Sequence, residues 1–382
     1  MSTKTSKRLD RISEYVFSSL GKKVSEIENQ TRRKVLNFGP GSPDIKPSKL
    51  YIDKFSEFIR DADAHLYPGY NAIDGFAEAL INWYKKRFGV LLKSNELLPL
   101  LGAKDGISHL PLALLDEGDE VLVPDPGYPA FSDPAILVGA KPVFYNLREK
   151  DNFKINLEEL KDLLSRKTKF IWVNFPSNPT GQVTTKEELS EIVKFAKKNN
   201  IIVVYDNAYS EITFDGYKSP SILEIKGAKE IAVEIGSFSK TFSFAGFRMG
   251  WIVGNKDIIG ALAKTKSQMD SGLSIPLQRL GAYALTKTDE EWYKDMITNY
   301  KKRRNIIAKH LKELGLDFDL PRGSLYIWAR IPEKEKNSWE FCMRLFKEKQ
   351  ILLTPGTAFG KNGNRYVRVS ICVNIDKIGE YF

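Results

Sequence analysis

Residues 169–209 read KFIWVNFPSNPTGQVTTKEELSEIVKFAKKNNIIVVYDNAY, and the organisation of the whole chain follows from this stretch. Phe170–Val173 and Ile201–Tyr205 are short runs of Val, Ile and aromatic residues, the composition of strands buried on both faces. Between them Leu189, Ile192, Val193 and Ala196 recur at helical spacing. The hydroxyl of Thr184, three residues ahead of Glu187, predicts a capping box where that helix begins, and Asn199-Asn200 ends it. A strand follows at once. This βαβ rhythm predicts an α/β fold with a mainly parallel sheet covered by helices.

Working outward, Val121–Val123, Ile231–Ile235 and Trp251–Val253 are further strand-like runs. Upstream, Phe76, Leu80, Trp83 and Phe88 form a helical stripe between Asp74 as a cap and Gly89 as a stop. After about residue 275 the pattern changes to a long charged helical stretch, followed by alternating strands at Leu325–Ile331 and Tyr366–Ile371. A smaller α+β layer is expected there. The expected division is residues 1–44 as an arm and part of the small domain, 45–275 as the large domain and 276–382 as the C-terminal small domain. Repeats, low-complexity tracts and flexible linkers are absent from the sequence.

The net charge is +10, but lysines come in pairs on amphipathic patterns, such as Lys85-Lys86 and Lys197-Lys198, which reads as solvated helix faces. A basic tract interleaved with base-stacking aromatics is missing, so a nucleic-acid partner is not expected. Part of the positive excess can serve anionic small molecules. Apolar stretches long enough for a membrane helix are missing, and Met1–Arg11 carries no apolar segment of the secretory type. The expectation is a soluble cytoplasmic protein. Cys342 and Cys372 are read as buried thiols, and His65, His109 and His310 are too scattered for a zinc site, so no metal is expected.

In an open α/β sheet, ligands bind beyond the carboxyl ends of the strands. Three such ends carry unusual chemistry: Asn174–Gly181, Asp206–Tyr209 and Ser237–Lys240, the last followed by Gly246-Phe247-Arg248. Each alone is an ordinary turn or surface sequence. Together they assemble a lysine, an acid, a phenol, an amide and an arginine. That is what pyridoxal phosphate requires: an amine to form the imine and move a proton, and a carboxylate to keep the pyridine nitrogen protonated. It also needs donors at the ring oxygen, and hydroxyls, an arginine and helix-start amides for the phosphate.

With Gly41–Asp44, Tyr67-Pro68, Gly102–Lys104, Pro126–Pro129, Asn178–Gly181 and Arg368 added, the chain from about Asp10 to Ile371 resembles a class I/II aminotransferase of the fold-type I pyridoxal-phosphate superfamily. The resemblance implies that Lys240 is the Schiff-base lysine and proton shuttle, and that Asp206 pairs with the pyridinium nitrogen. Tyr209 and Asn178 would donate to the ring oxygen, and Tyr128 would stack on the ring. Ser237, Ser239, Arg248 and the backbone amides of Ala103 and Lys104 would take the phosphate. Tyr67 would reach the phosphate in a neighbouring subunit's site, which implies a homodimer. Arg368 would grip the substrate carboxylate, with Gly41 offering its backbone and Tyr15 closing over the substrate.

Two departures stand out. Phe247 occupies a position where relatives often have tryptophan, and the chain stops at Phe382 where relatives usually continue through a closing helix, so the small domain is expected to lack part of its cover. The reaction expected is transamination between an L-amino acid and a 2-oxo acid, with 2-oxoglutarate and glutamate as co-substrates. The segments Leu101–Ile107, Pro124–Pro129 and Asp270–Gly272 are similar to those of LL-diaminopimelate aminotransferases and their aspartate- or alanine-using relatives. A β-lyase reaction on the same scaffold is the alternative. A cofactor-binding transcriptional sensor is the third, disfavoured because only about forty residues precede Gly41.

Overall fold

The computed structural model describes residues 4–12, 21, 24–26, 28–30, 32, 34–376 and 378–382. Seven strands form the main sheet: β2 (Leu97–Leu100), β3 (Glu120–Asp125), β4 (Lys141–Asn146), β5 (Thr168–Asn174), β6 (Ile202–Asp206), β7 (Ala232–Ser237) and β8 (Gly250–Gly254). Their order is β2-β8-β7-β6-β5-β3-β4. β4, β3, β5, β6 and β7 pair in parallel, and β8 runs antiparallel to both its neighbours.

The pleat explains the unbroken apolar runs. Successive strand residues face opposite sides of the sheet. Ile171, Val173, Val203 and Tyr205 therefore join one hydrophobic cluster, with the helices Asp74–Phe88, Lys186–Lys198 and Ile275–Thr286. Phe170, Trp172 and Val204 join another on the opposite face, with Ala103–Leu114 and Lys256–Lys266. Two strands, β2 and β4, stand outside those expected from the sequence. Both lie at sheet edges and both contain a proline, Pro99 and Pro142, which is where a strand tolerates a missing N–H donor.

A second layer gathers β9 (Tyr326–Arg330), β11 (Thr354–Pro355) and β12 (Tyr366–Ser370) in an antiparallel sheet ordered β11-β12-β9. Beside it β1 (Leu36–Asn37) pairs in parallel with β10 (Ile351–Leu352). The helices Glu290–Glu313 and Ser338–Lys349 share a third cluster with these strands. The last residues pack onto the same layer: the Tyr381 hydroxyl donates to the Lys34 carbonyl at 2.9 Å, and Phe382 lies edge-on to Phe38 at 6.5 Å.

Two helix starts differ from expectation by one residue. The Lys186–Lys198 helix is capped by Thr185, whose hydroxyl accepts from Glu188 N at 3.3 Å while Glu188 accepts from Thr185 N at 3.0 Å. Thr184 is buried, and its hydroxyl donates to Glu188 instead of capping the helix. Asp74 is the first helical residue after Ile73 rather than the cap. Gly89 does end that helix in the left-handed region, with φ of 70°. Thr185→Ala is expected to lower stability by about 1 kcal/mol, the usual worth of such a cap. Urea unfolding at unchanged m-value checks this.

Candidate active site

β5, β6 and β7 lie side by side and parallel, so their carboxyl ends come together: Asn174 stands opposite Asp206, and Asp206 opposite Ile235 two residues before Ser237. Side chains then fix each turn. Asn174 donates to the Asp206 carbonyl at 3.0 Å and accepts from Asn178 N at 2.8 Å. The Asp206 carboxylate accepts from Ala208 N at 3.1 Å, and the Ser237 hydroxyl accepts from Ser239 N at 3.2 Å. That last bond starts the short helix Phe238–Thr241, which carries Lys240. The turns open on a cavity of about 480 Å³ that receives the second layer on its other side.

Twelve of the residues expected at the site line this cavity: Gly41, Ala103, Lys104, Tyr128, Asn178, Asp206, Tyr209, Ser237, Ser239, Lys240, Arg248 and Arg368. Lys240 Nζ donates to the Gly41 carbonyl at 2.6 Å. Burial pushes its pKa down to about 8, with Arg368 and Arg248 adding to the shift and Cys372 and, more weakly, Asp206 opposing it. Burial likewise raises Asp206 to about 6, against the Ala208 hydrogen bond and the Lys240 charge. An acid held so far from water is suited to a cationic partner. Desolvation raises the Tyr209 phenol well above its usual value.

From the second layer Arg368, 2% exposed, donates to Asn178 Oδ1 at 2.8 Å and to the Gly39 carbonyl at 2.7 Å. Its guanidinium lies over the rings of Tyr326 and Phe359, at 4.2 and 4.7 Å. Gly41 is fixed by close approach: an added Cβ would fall 1.8 Å from Tyr326 Oη. Gly41→Ala therefore has to displace either Tyr326 or the carbonyl that holds Lys240. A misplacement of this size is expected to lower kcat/KM by about 10²-fold with circular dichroism unchanged.

At the far end the Ala103–Leu114 helix begins at Gly102, with φ of 89° and no side-chain cap. A Cβ on Gly102 would meet the Arg248 guanidinium at 2.5 Å. Helix-start amides without a side-chain cap, an arginine and the Ser237 and Ser239 hydroxyls make a cup for a dianion. The donor set therefore fits pyridoxal phosphate: an anion cup at one end, a desolvated acid at the ring position and an amine of lowered pKa between them.

Tyr67 is 86% exposed and outside the cavity, and Tyr15 lies outside the described residues. Two lining residues carry no sequence signal of their own. Tyr326 is one of two aromatics in its strand, and Asn37 follows a short apolar stretch. Only the arrival of the second layer puts them here. Asp105, His109 and Asp270 are close enough to hold an ion, but the buried Lys266 ammonium donates to both acids and takes that place. Among the described residues, no helix is long and apolar enough to cross a membrane.

The parallel sheet with a lysine raised at one strand end, an acid at the next and a guanidinium closing from a second layer defines a pyridoxal-phosphate-dependent transferase of fold type I. Comparison with known proteins narrows the class. The family model "Aminotransferase class I and II" matches residues 33–380. LL-diaminopimelate aminotransferases of Halothermothrix orenii and Aquifex aeolicus are 37% and 38% identical, covering 98% of this chain and 95% and 96% of theirs. The substrate-bound structure of BacF from Bacillus subtilis superposes with a TM-score of 0.93 at 31% identity, covering 100% of this chain and 96% of that one. The chain belongs to the class I and II aminotransferases and is a pyridoxal-phosphate-dependent enzyme.

Proposed function

We propose that this aminotransferase takes its amino group from LL-diaminopimelate and passes it to 2-oxoglutarate, with Lys240 and Arg368, which line the same cavity, as the pair that makes the reaction possible. The near full-length similarity to relatives of that name supports the donor. Their shared place in the cavity lining supports the chemistry. Pyridoxal phosphate, when bound, supplies the electron sink that makes the substrate Cα–H acidic.

The residues do the rest. Arg368, already oriented by Asn178 and Gly39, offers its fork to the α-carboxylate and so fixes which Cα bond faces Lys240. Lys240 takes the proton from Cα and returns it at the cofactor's C4′ carbon. Its lowered pKa leaves the amine basic yet partly neutral near physiological pH. Asp206 would hold the proton of the ring nitrogen, Tyr209 and Asn178 would donate to the ring oxygen, and Tyr128 would cover the ring face. Ser237, Ser239, Arg248 and the amides of Ala103 and Lys104 would hold the phosphate, while Gly41 would line the carboxylate subsite.

A donor panel with 2-oxoglutarate is the direct test. Glutamate formation should be fastest with LL-diaminopimelate. A faster rate with aspartate or alanine would reassign the donor and leave the transferase reading intact. Release of pyruvate and ammonia without an acceptor would instead favour the lyase reading. The Lys240 assignment has its own check in cofactor-free protein. Labelling by an amine-reactive reagent, followed by mass spectrometry, should rise to half-maximum near pH 8 at Lys240, because only the neutral amine reacts. Lysine in a model peptide does so at about 10.4.

Residues 45–275 are proposed as the cofactor-binding domain, joined by the helix Ile275–Thr286 that packs in the main sheet's cluster, with 1–44 and the rest of 276–382 as the part that closes on the substrate in the cytoplasm. A homodimer is proposed, with Tyr67 reaching the partner's phosphate. Leu66, Tyr67, Tyr70 and Met269 are exposed on two loops whose backbones meet at Gly69 and Gly272, an apolar surface suited to a second copy. Sedimentation should give a dimer, and Tyr67→Phe should weaken cofactor retention without separating the subunits.

A further inference from the structure

Tyr326 is a cavity residue that the assignments above leave without a task, and it touches three residues that have one, Tyr209, Arg368 and Gly41. Its hydroxyl lies 3.0 Å from the Tyr209 hydroxyl. Its ring lies under the Arg368 guanidinium at 4.2 Å and meets the Tyr209 ring edge-on at 5.8 Å. Its hydroxyl end packs on Gly41, whose carbonyl holds Lys240. The side chain is buried, and β9 holds its backbone through pairing of Tyr326 with Ser370 on β12.

The chemistry of two phenols in contact sets the direction of the bond. Each hydroxyl has one proton, so in a 3.0 Å pair one oxygen donates and the other accepts. If Tyr209 directs its proton to the cofactor's ring oxygen, as proposed above, its own oxygen is left as the acceptor. Tyr326 must then be the donor. A phenol that accepts a hydrogen bond becomes a stronger donor, because successive bonds polarise one another in a site shielded from water.

We infer that Tyr326 is a positioning residue for Tyr209: its hydroxyl donates to the Tyr209 oxygen, aims the Tyr209 proton at the cofactor's ring oxygen and strengthens that bond. The inference rests on the proposed role of Tyr209. A donor at the ring oxygen stabilises its negative charge most when the neighbouring Schiff-base nitrogen carries no proton. A stronger donor therefore lowers the pH midpoint at which the bound cofactor changes its absorbance, and a weaker donor raises it.

The test is a spectrophotometric pH titration of holoenzyme for the parent, Tyr326→Phe, Tyr209→Phe and the double variant. Tyr326→Phe keeps the ring beneath Arg368 and removes only the hydroxyl. It is expected to raise the midpoint by about 0.5–1 pH unit, the size of one lost hydrogen bond. Tyr209→Phe should raise it further, and the double variant should match Tyr209→Phe alone, because Tyr326 acts through it. Affinity for succinate should stay within about twofold. An unmoved midpoint in Tyr326→Phe beside a raised one in Tyr209→Phe overturns the inference and leaves the Tyr209 role standing. An unmoved midpoint in Tyr209→Phe overturns both. A shift in Tyr326→Phe accompanied by a tenfold loss of succinate binding overturns it in favour of general damage to the Arg368 wall.

Discussion

Replacing Lys240 by alanine is expected to lower the transamination rate by at least about 10⁴-fold while leaving the chain folded. The size follows from its position: Lys240 is the amine proposed both to bind the cofactor and to carry the proton. Asp206 cannot replace it, because it is anchored at Ala208 N on the adjacent strand end. The fold should not suffer. Burial disfavours the charged ammonium, as the lowered pKa of about 8 records. Below that pH the cofactor-free folded state holds a cation that water would hold more comfortably. The alanine variant should therefore melt no lower than the parent at pH 7 without cofactor. A variant retaining a tenth of the parental rate would remove Lys240 from the mechanism.

The second large effect is expected at Arg368. Arg368→Lys should lower kcat/KM by about 10²–10³-fold, with most of the loss in KM for both amino and oxo acids. Charge is kept in this variant, so the loss isolates the fork. The guanidinium reaches Asn178 and the Gly39 carbonyl while lying over two aromatic rings, an arrangement that suits a flat, delocalised cation. A lysine ammonium can meet only part of it. A lysine variant within fivefold of the parent for every donor would show that carboxylate recognition lies elsewhere.

Much of this is legible in the sequence. The apolar runs of β5 and β6, the stripe of Leu189, Ile192, Val193 and Ala196, and the αL glycine at Gly89 are local signals, set by backbone sterics and by which face must leave water. The cap at Thr185 was misplaced by one residue because Thr184 offers the same hydroxyl. Burial of Thr184 beneath the chain decides between them, and burial has no local signature. The edge strands β2 and β4 were hidden by their prolines, which the sequence alone cannot distinguish from loop prolines.

β7 also holds an exception inside an apolar run. Glu234, 1% exposed, accepts from Tyr84, Ser221 and Ile222 N and from Asn207, and burial pushes its pKa up to about 7. Its donors come from three separate regions of the chain, so only the folded sheet brings them together.

The sequence by itself determined the βαβ order, and with it the neighbourhood of Asn174, Asp206 and Ser237, because right-handed parallel crossovers leave few ways to place consecutive strands. Tertiary structure alone decided what stands opposite them. Arg368 and Tyr326 come from two strands that pair with each other more than a hundred residues after Asp206, and Gly41 is brought in from the other end of the chain. Contacts across such separations depend on how two layers pack, and packing is a property of shapes in space rather than of any window of residues.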